Sequence, residues 1–554
     1  MGKVWNVKNI DKELVEKYSK EYGISKLLAT MVISKDIELE DVKRYLEPGL
    51  NNLYDPFLLN DMQKLVGRIL KAKENNEKVC IYGDYDVDGI TSITVLYSFL
   101  KELGINVTYY LPGRMEEGYG LNKQALDKLK QDGVNLCITV DCGISAKEEA
   151  EYAKEIGLDM CITDHHECTE ELPNAIAIVN PKRLDSTYPF SMLAGVGVTF
   201  KVITALAKEL KTEDERYLKY LDLVSVGTIA DIVALKDENR VIAANGIAAI
   251  KNTKNEGLKA LIKVAGLEKV DSSAISFALA PRINASGRMA DATVAVKLLL
   301  SETEGEALEY AKVLDGQNKQ RQAVEKGIFE EAVNIIEKEG LESKKTIVLA
   351  RENWHQGVIG IVASKLVEKY MKPVILFAID ENGMAKGSGR TPQGLSLYDA
   401  LTACADNLES FGGHELAAGL TIKVENLEAF KERFEQEVKT TKKEDFISVI
   451  DIDGEIKKQD LNVTTIKDIA RLAPFGQKNS IPIFVYKNLR VGGVCTLKDG
   501  KHLKLLLQDD GSVIEGLAFS AGSRRDEIVI GDKVDIACNV TVNEFMNQRK
   551  IQFI

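Results

Sequence analysis

From residue 76 onward, short apolar runs alternate with stretches whose apolar residues recur at helical spacing. Lys78-Val-Cys-Ile-Tyr82 leads into a carboxylate-rich turn and then into Ile90 to Leu103, which carries the helical period. Val107-Thr-Tyr-Tyr-Leu111 is the next strand-like run, Asn122 to Lys130 a helix, and Leu136-Cys-Ile-Thr-Val140 a strand that stops at Asp141. A helix from Ser145 to Ile156 and the strand Asp159-Met-Cys-Ile-Thr163, which stops at Asp164, continue the rhythm. Connections of this length suit parallel crossovers, so the pattern predicts an α/β fold with a parallel sheet and helices on both faces. Ligands of such sheets bind outside the carboxyl ends of the strands. Three of the predicted strands end there in acidic residues.

Residues 196 to 300 are mainly helical in pattern, with Gly227-Thr-Ile-Ala-Asp231 and Pro281-Arg-Ile-Asn-Ala-Ser-Gly-Arg288 expected to interrupt it. Residues 302 to 339 form a long, charged, proline-free helical stretch, read as a solvated helix connecting two lobes. A second α/β unit opens at Lys345-Thr-Ile-Val-Leu-Ala350 and closes near 440. From Ile447 on, short alternating runs separated by turns such as Lys498-Asp-Gly500 predict a small antiparallel barrel, and an OB-like one is preferred by analogy with common single-strand binders. Phe475, Tyr486, Phe519 and Arg471 are its candidate contacts. The expected division is 1–75 an amino-terminal helical extension, 76–300 a catalytic α/β domain with a helical part, 301–342 a connecting helix, 343–442 a substrate-binding lobe and 443–554 the nucleic-acid-binding barrel.

A chain of 554 residues exceeds one core, and 45% hydrophobic with 28% charged residues is a globular composition. No apolar run long enough to span a bilayer appears, and Met1-Gly-Lys-Val-Trp-Asn-Val-Lys8 lacks the apolar run of a signal peptide, so no membrane association and a cytoplasmic location are expected. None of the eight cysteines stands in a CxxC pair, which disfavours a structural zinc and a disulfide framework. The formal charge of −12 argues against a broadly basic protein that coats duplexes, yet residues 451–554 hold 14 acidic and 15 basic residues, so the acidic excess lies upstream.

Much of that excess has a chemical reading. Asp84-Tyr85-Asp86-Val87-Asp88 places three carboxylates in one turn between Gly83 and Gly89, where they repel one another unless a cation neutralises them. A calcium loop is a poor fit, because Val95 stands where the twelfth-position glutamate belongs. Asp141 and Asp164-His165-His166 supply further donors, and the chain has only five histidines. Aspartate oxygens mixed with one or two imidazoles suit Mn²⁺, and also Mg²⁺ when several ligands are oxygens. Two such ions, held about 4 Å apart, activate water and neutralise a phosphodiester, with His165 or His166 available to shuttle a proton or donate to a non-bridging oxygen. The sequence contains no GxxxxGK[ST] phosphate loop.

Gly83-Asp-Tyr-Asp-Val-Asp-Gly-Ile-Thr-Ser92, Val140-Asp-Cys-Gly143, Thr163-Asp-His-His166 and Gly227-Thr-Ile-Ala-Asp231 resemble, in order, the motifs of the DHH phosphoesterase superfamily. Within it the chain is similar to the bacterial single-strand-specific exonucleases. Trp354-His-Gln-Gly-Val-Ile-Gly360, Gly387-Ser-Gly-Arg390 and Gly412-Gly-His414 extend the likeness into the second lobe, which is DHHA1-like. The resemblance implies a 5′ to 3′ exonuclease that releases 5′-mononucleotides from single-stranded DNA in recombination and repair, using two Mn²⁺ or Mg²⁺ ions per site. It implies Asp86, Asp88, Asp141, His165 and Asp231 as metal ligands, with Asp84 and His166 close to the metals and Asp164 orienting a histidine. Gly412, Gly413 and His414 are then expected at the substrate phosphate. Ser388 and Arg390 follow Gly387, whose backbone suits close phosphate approach, and Arg282 and Arg288 either grip phosphate or are solvated loop residues. His355 either meets substrate or is packed by Trp354. A helicase and a single-strand-binding protein are the implied partners, and a cleft closed by one chain gives no reason for more than a monomer.

Overall fold

The structure, a computed structural model, describes residues 4–113, 120–211, 216–438, 449–545 and 548–554. The chain divides into two compact units. The larger comprises Trp5–Ala280, Leu298–Ala307 and Ile450–Ile554, and the smaller has its body in Pro281–Lys297 and Leu308–Val449.

Five parallel strands form the sheet of the larger unit, in the order Val107–Tyr110, Val79–Gly83, Leu136–Val140, Asp159–Thr163, Ala177–Val179. Val79–Gly83 and Leu136–Val140 are buried at every position, as a parallel strand covered on both faces requires. Their register brings Gly83, Val140 and Thr163 level across three neighbouring strands, so Asp84, Asp141 and Asp164 emerge together at one edge. The helices Val87–Glu102, Gly195–Glu209 and Leu221–Ala230 pack on one another, and the middle one is buried nearly all round.

Gly227 does not interrupt its helix. It lies inside Leu221–Ala230, because a side chain there would collide with Thr91 Oγ1 and Val196: the glycine serves close helix approach, not a turn. Pro281–Arg288 is likewise helical, within Ala280–Met289, and follows a π-turn at Ile275–Leu279. Pro281 stands in the first turn of that helix, where proline is tolerated. The long helix runs unbroken over Glu304–Lys338, but it is not simply solvated: Asp315, Asn318, Arg321 and Glu325 recur on one face and are buried.

In the smaller unit a five-stranded sheet has the order Ser410–Gly413, Ala417–Lys423, Met384–Arg390, Val374–Ile379, Ile347–Arg351, with only the last pair parallel. The expected boundary at 442/443 lies outside the described residues.

One barrel strand, Phe484–Leu497, is longer than the short alternating runs predict. Phe484–Leu497 bends at two irregularities and thereby pairs with both His502–Asp509 and Lys533–Cys538. Its core is continuous with the amino-terminal helices: Tyr18, Leu28, Val32 and Tyr45 belong to one apolar cluster with Phe484, Leu489, Leu507 and Phe553. Tyr486 is in that core and Phe475 packs against it, whereas Phe519 and Arg471 are exposed. Among the described residues no helix is long and apolar enough to cross a membrane.

Arg240 joins three parts of the larger unit. Its guanidinium is buried, donates to the carbonyls of Tyr45, Arg471, Leu472 and Ala473, and lies 4.0 Å from the Tyr45 ring centroid. The Leu472 and Arg471 carbonyls end the helix Val463–Arg471, where a cation complements the helix dipole. Removing the donors strands several buried carbonyls and opens a cavity, so Arg240→Ala is expected to cost about 3 to 5 kcal/mol of stability, read from denaturant midpoints. A loss below about 1 kcal/mol contradicts this account of the junction.

Candidate metal centre

Each donor is placed by an identifiable piece of local structure. Asp84 follows strand Val79–Gly83, and its carboxylate accepts from the Tyr85 N–H at 2.7 Å. Asp86 caps helix Val87–Glu102, accepting from the N–H groups of Asp88 (2.8 Å) and Gly89 (3.1 Å). A side chain at position 89 would collide with the Asp84 backbone, so only glycine lets the turn close this tightly. Asp141 sits at φ 59°, a left-handed conformation rarely adopted by a residue with a side chain. Asp231 ends helix Leu221–Ala230, its N–H bonded to the Gly227 carbonyl.

These elements bring the side chains to one place. His165 Nε2 lies 3.1 Å from Asp141 Oδ1, 3.6 Å from Asp231 Oδ2 and 3.9 Å from Asp88 Oδ2. Donor atoms of Asp88, His165 and Asp231 lie within 4.8 Å of one another, as do those of Asp141, His165 and His166 and those of Asp84, Asp86 and Asp141. Asp141 Oδ1, His165 Nε2 and Asp231 Oδ2 are buried and make no hydrogen bond. Buried polar atoms are normally paired, so three orphans around one point fit a cation.

The electrostatics agree. Burial, then the charge of Asp86, pushes the Asp88 carboxyl up to about 7, against the pull of two backbone amides. Burial and the charges of Asp88 and Asp86 push Asp231 up to about 9, and Asp141 is raised for the same reasons. Burial, and then the charge of His166, lowers His165 to about 4, so its ring is neutral at pH 7 and has a lone pair for a metal. Carboxyls forced toward neutrality become strong ligands once a cation is present.

His166 differs from its neighbour. Asp164 is 1% exposed, and its Oδ1 accepts from the N–H groups of His165 (2.7 Å) and His166 (3.1 Å) and pairs with His166 Nδ1 (2.7 Å), while Oδ2 takes the Ile144 N–H. Burial opposes a charged His166 ring, but the bond to Asp164 and its charge outweigh this and raise the pKa. The ring is partly exposed beside the carboxylates, and its protonated form is favoured there.

Sequence reasoning missed several contributors. The backbone amides of Gly195 and Val196, at the start of helix Gly195–Glu209, donate to Asp88 Oδ2 and Oδ1 at 2.7 and 2.8 Å, a helix N-terminus opposing a carboxylate's charge. Gly195 is also confined by Asp141, whose carboxyl occupies the space a side chain would need. The pair of glycines in Ala194-Gly-Val-Gly197 was the available signal. Asn180, fully buried, donates to the His166 carbonyl and accepts from the Lys182 N–H. Lys182 pairs with Glu167 at 2.9 Å, and its charge acts on both His165 and Asp231.

The remaining candidates lie in the smaller unit. Ser388, Gly419 and Gly412 are level across three strands, followed by Gly389, Ala418 and Gly413. Gly413 has φ 149° and no room for a side chain beside the Ala417 carbonyl. His414 is exposed, its N–H on the Ala417 carbonyl. Arg390 donates to Ser388 Oγ at 3.0 Å and to the Gly389 carbonyl at 2.7 Å. His355 caps helix Gln356–Tyr370, its Nδ1 accepting from Gly357 N–H at 3.1 Å, while Trp354 is buried. Gly360 of that helix lies against Ser388 and Arg390. Arg282 Nε pairs with Asp315 at 3.0 Å, and Arg288 donates to the Gly357 carbonyl at 3.1 Å.

Comparison with known proteins places this geometry. The DHH family N-terminal domain matches residues 78–228, the DHHA1 domain 343–440 and the RecJ OB domain 452–554. The single-stranded-DNA-specific exonuclease RecJ of Bacillus subtilis is 40% identical over 556 residues, covering 99% of this chain and 70% of its own. The Escherichia coli protein of the same name is 34% identical and 90% of each chain is covered. Among solved structures, RecJ of Thermus thermophilus in complex with Mn²⁺ superposes with a TM-score of 0.86 at 26% identity, covering 99% of this chain and 78% of that one. With near full-length similarity and all three domain types in the same order, the chain belongs to the RecJ family of single-stranded-DNA-specific exonucleases.

Proposed function

We propose that the protein is a metal-dependent exonuclease that hydrolyses single-stranded DNA from its 5′ end and releases 5′-mononucleotides. The observation that carries the reading is the convergence of three orphaned buried donors, on Asp141, His165 and Asp231, in a chain of this family. Relatives of this fold have been solved with Mn²⁺ and with Mg²⁺, and the oxygen-rich donor set suits either ion. Asp86, Asp88, Asp141, His165 and Asp231 would hold two such ions, and the placement of Asp84 beside Asp86 and Asp141 supports a share for it as well. When bound, the ions neutralise the phosphodiester and lower the pKa of water.

The protein's own residues do the rest. Neutral His165 offers a lone pair, whereas His166, whose protonated form is favoured by the bond to Asp164, donates to a phosphate oxygen. Asp164 acts as a positioning residue, since its oxygens are already bonded within the fold. Gly195 and Val196 aim Asp88. In the smaller unit, Arg282, Arg288, His355, Ser388, Arg390, Gly412, Gly413 and His414 hold the strand's phosphates, and the barrel engages the strand farther along. The same proposal places a cytoplasmic monomer in recombination and repair, supplied with single strands by a helicase and a single-strand-binding protein.

End-labelled single strands test the polarity: mononucleotides are expected first from the 5′ end, and first release from the 3′ end, or equal digestion of a blunt duplex, overturns the reading. Asp88→Asn and Asp141→Asn are each expected to lower turnover by about a thousandfold or more while the far-ultraviolet spectrum stays unchanged. Full activity in both removes the proposed centre.

The raised carboxyls also give a pH signature. Protonated in the folded, cation-free protein, Asp88 and Asp231 contribute stability that is complete below the ordinary aspartate range and is lost as pH rises through about 7 and about 9. The cation-free melting temperature therefore falls from mildly acidic to alkaline pH, and Mn²⁺ raises it more at the alkaline end. Equal Mn²⁺ shifts at pH 5 and pH 9 speak against this coupling.

A further inference from the structure

We infer that Asp315 is the positioning residue that sets the Arg282 guanidinium for phosphate, through a carboxylate buried on the long helix Glu304–Lys338. The inference rests on the reading of Arg282 as a substrate contact. Asp315 is 8% exposed, and its two oxygens serve two cations: Oδ1 accepts from Arg282 Nε at 3.0 Å and Oδ2 from Lys319 Nζ at 2.7 Å. A bond at Nε fixes the plane of a guanidinium, whereas bidentate phosphate binding commonly engages its terminal nitrogens. Two cations share one carboxylate, so the trio keeps a positive surplus.

The buried face that carries Asp315 continues in a row of ionic contacts. Asn318 and Glu325 both bind Arg321 on the same buried face, and Lys365 of helix Gln356–Tyr370 binds Glu325. This row ties the long helix to the helix that His355 caps and that runs against Ser388 and Arg390. Burial favours a neutral Asp315, but Lys319 and Arg282 outweigh it and hold the carboxyl below its ordinary range, so the link persists into mild acid. The sequence shows only an unremarkable charged helix here, and a simple helix clamp is the competing explanation for the pair.

Steady-state digestion of single-stranded DNA by the full chain with Mn²⁺ separates the two. Asp315→Ala is expected to raise KM by roughly tenfold with kcat within about twofold, because the guanidinium loses its aim while the metal centre is untouched. Asp315→Asn keeps an acceptor for Nε and is expected within about threefold of the parent KM. The double variant R282Q/D315A should be no worse than R282Q alone. An unchanged KM in Asp315→Ala, or effects of the two substitutions that multiply, overturns the inference, as does a fall in kcat and melting temperature with KM unchanged, which marks a clamp. If R282Q itself binds DNA normally, the reading of Arg282 fails, and the inference with it; R282Q impaired beside a normal Asp315→Ala removes the inference alone.

Discussion

Like charge crowded into a dry place is the constraint on which the larger unit is built. Asp84, Asp86, Asp88, Asp141 and Asp231 approach one another at the carboxyl edge of a parallel sheet, and burial raises the cost of negative charge on Asp88, Asp141 and Asp231. The protein offsets only part of that cost. Asp86 takes the N-terminal amides of one helix, Asp88 those of another, and Lys182 adds a positive charge nearby. Neither Asp141 Oδ1 nor Asp231 Oδ2 receives such a donor. The fold thus supplies amides to Asp86 and Asp88 and leaves the buried lone pairs of Asp141 and Asp231 without them, as the proposed cation site requires.

The same division explains the two histidines. They are adjacent in sequence, yet His165 is buried among carboxylates with Nε2 unpaired, and His166 has its Nδ1 on Asp164. One aspartate, held by three backbone amides, makes a pair of identical side chains unlike: it raises the affinity of His166 for a proton and leaves the His165 ring neutral. A carboxylate buried without such amides would titrate with its neighbours and could not hold the distinction.

What the sequence made legible follows from range. Asp84, Asp141 and Asp164 were placed together because each ends an apolar run, and parallel strands in register carry their ends to one edge. Asp231 came from a motif likeness, since nothing local says that the end of helix Leu221–Ala230 turns toward that edge. The misreadings have a common cause. Gly227 reads as a break in sequence, yet its role is close approach to Thr91 and Val196, contacts separated from it by many residues. The stretch 302–339 reads as a solvated helix because burial of charge at Asp315, Asn318, Arg321 and Glu325 is legible only once partners such as Arg282 and Lys365 are known. The Gly195 and Val196 amides carry no side-chain signature at all.

The net charge of −12 was the feature least suited to a nucleic-acid enzyme, and the structure changes its meaning. Carboxylates at the sheet edge are raised toward neutrality or await cations, so counting them as bare negatives overstates the field a phosphate meets. In the smaller unit Asp315 carries a true negative charge, yet its partners are two cations and its presence orders them. An acidic residue can therefore serve anion binding in two ways: by recruiting a metal whose charge exceeds its own, or by fixing the direction of an arginine. Neither contribution is visible in a sum over the chain, because both depend on which atoms face inward, and only the fold assigns that.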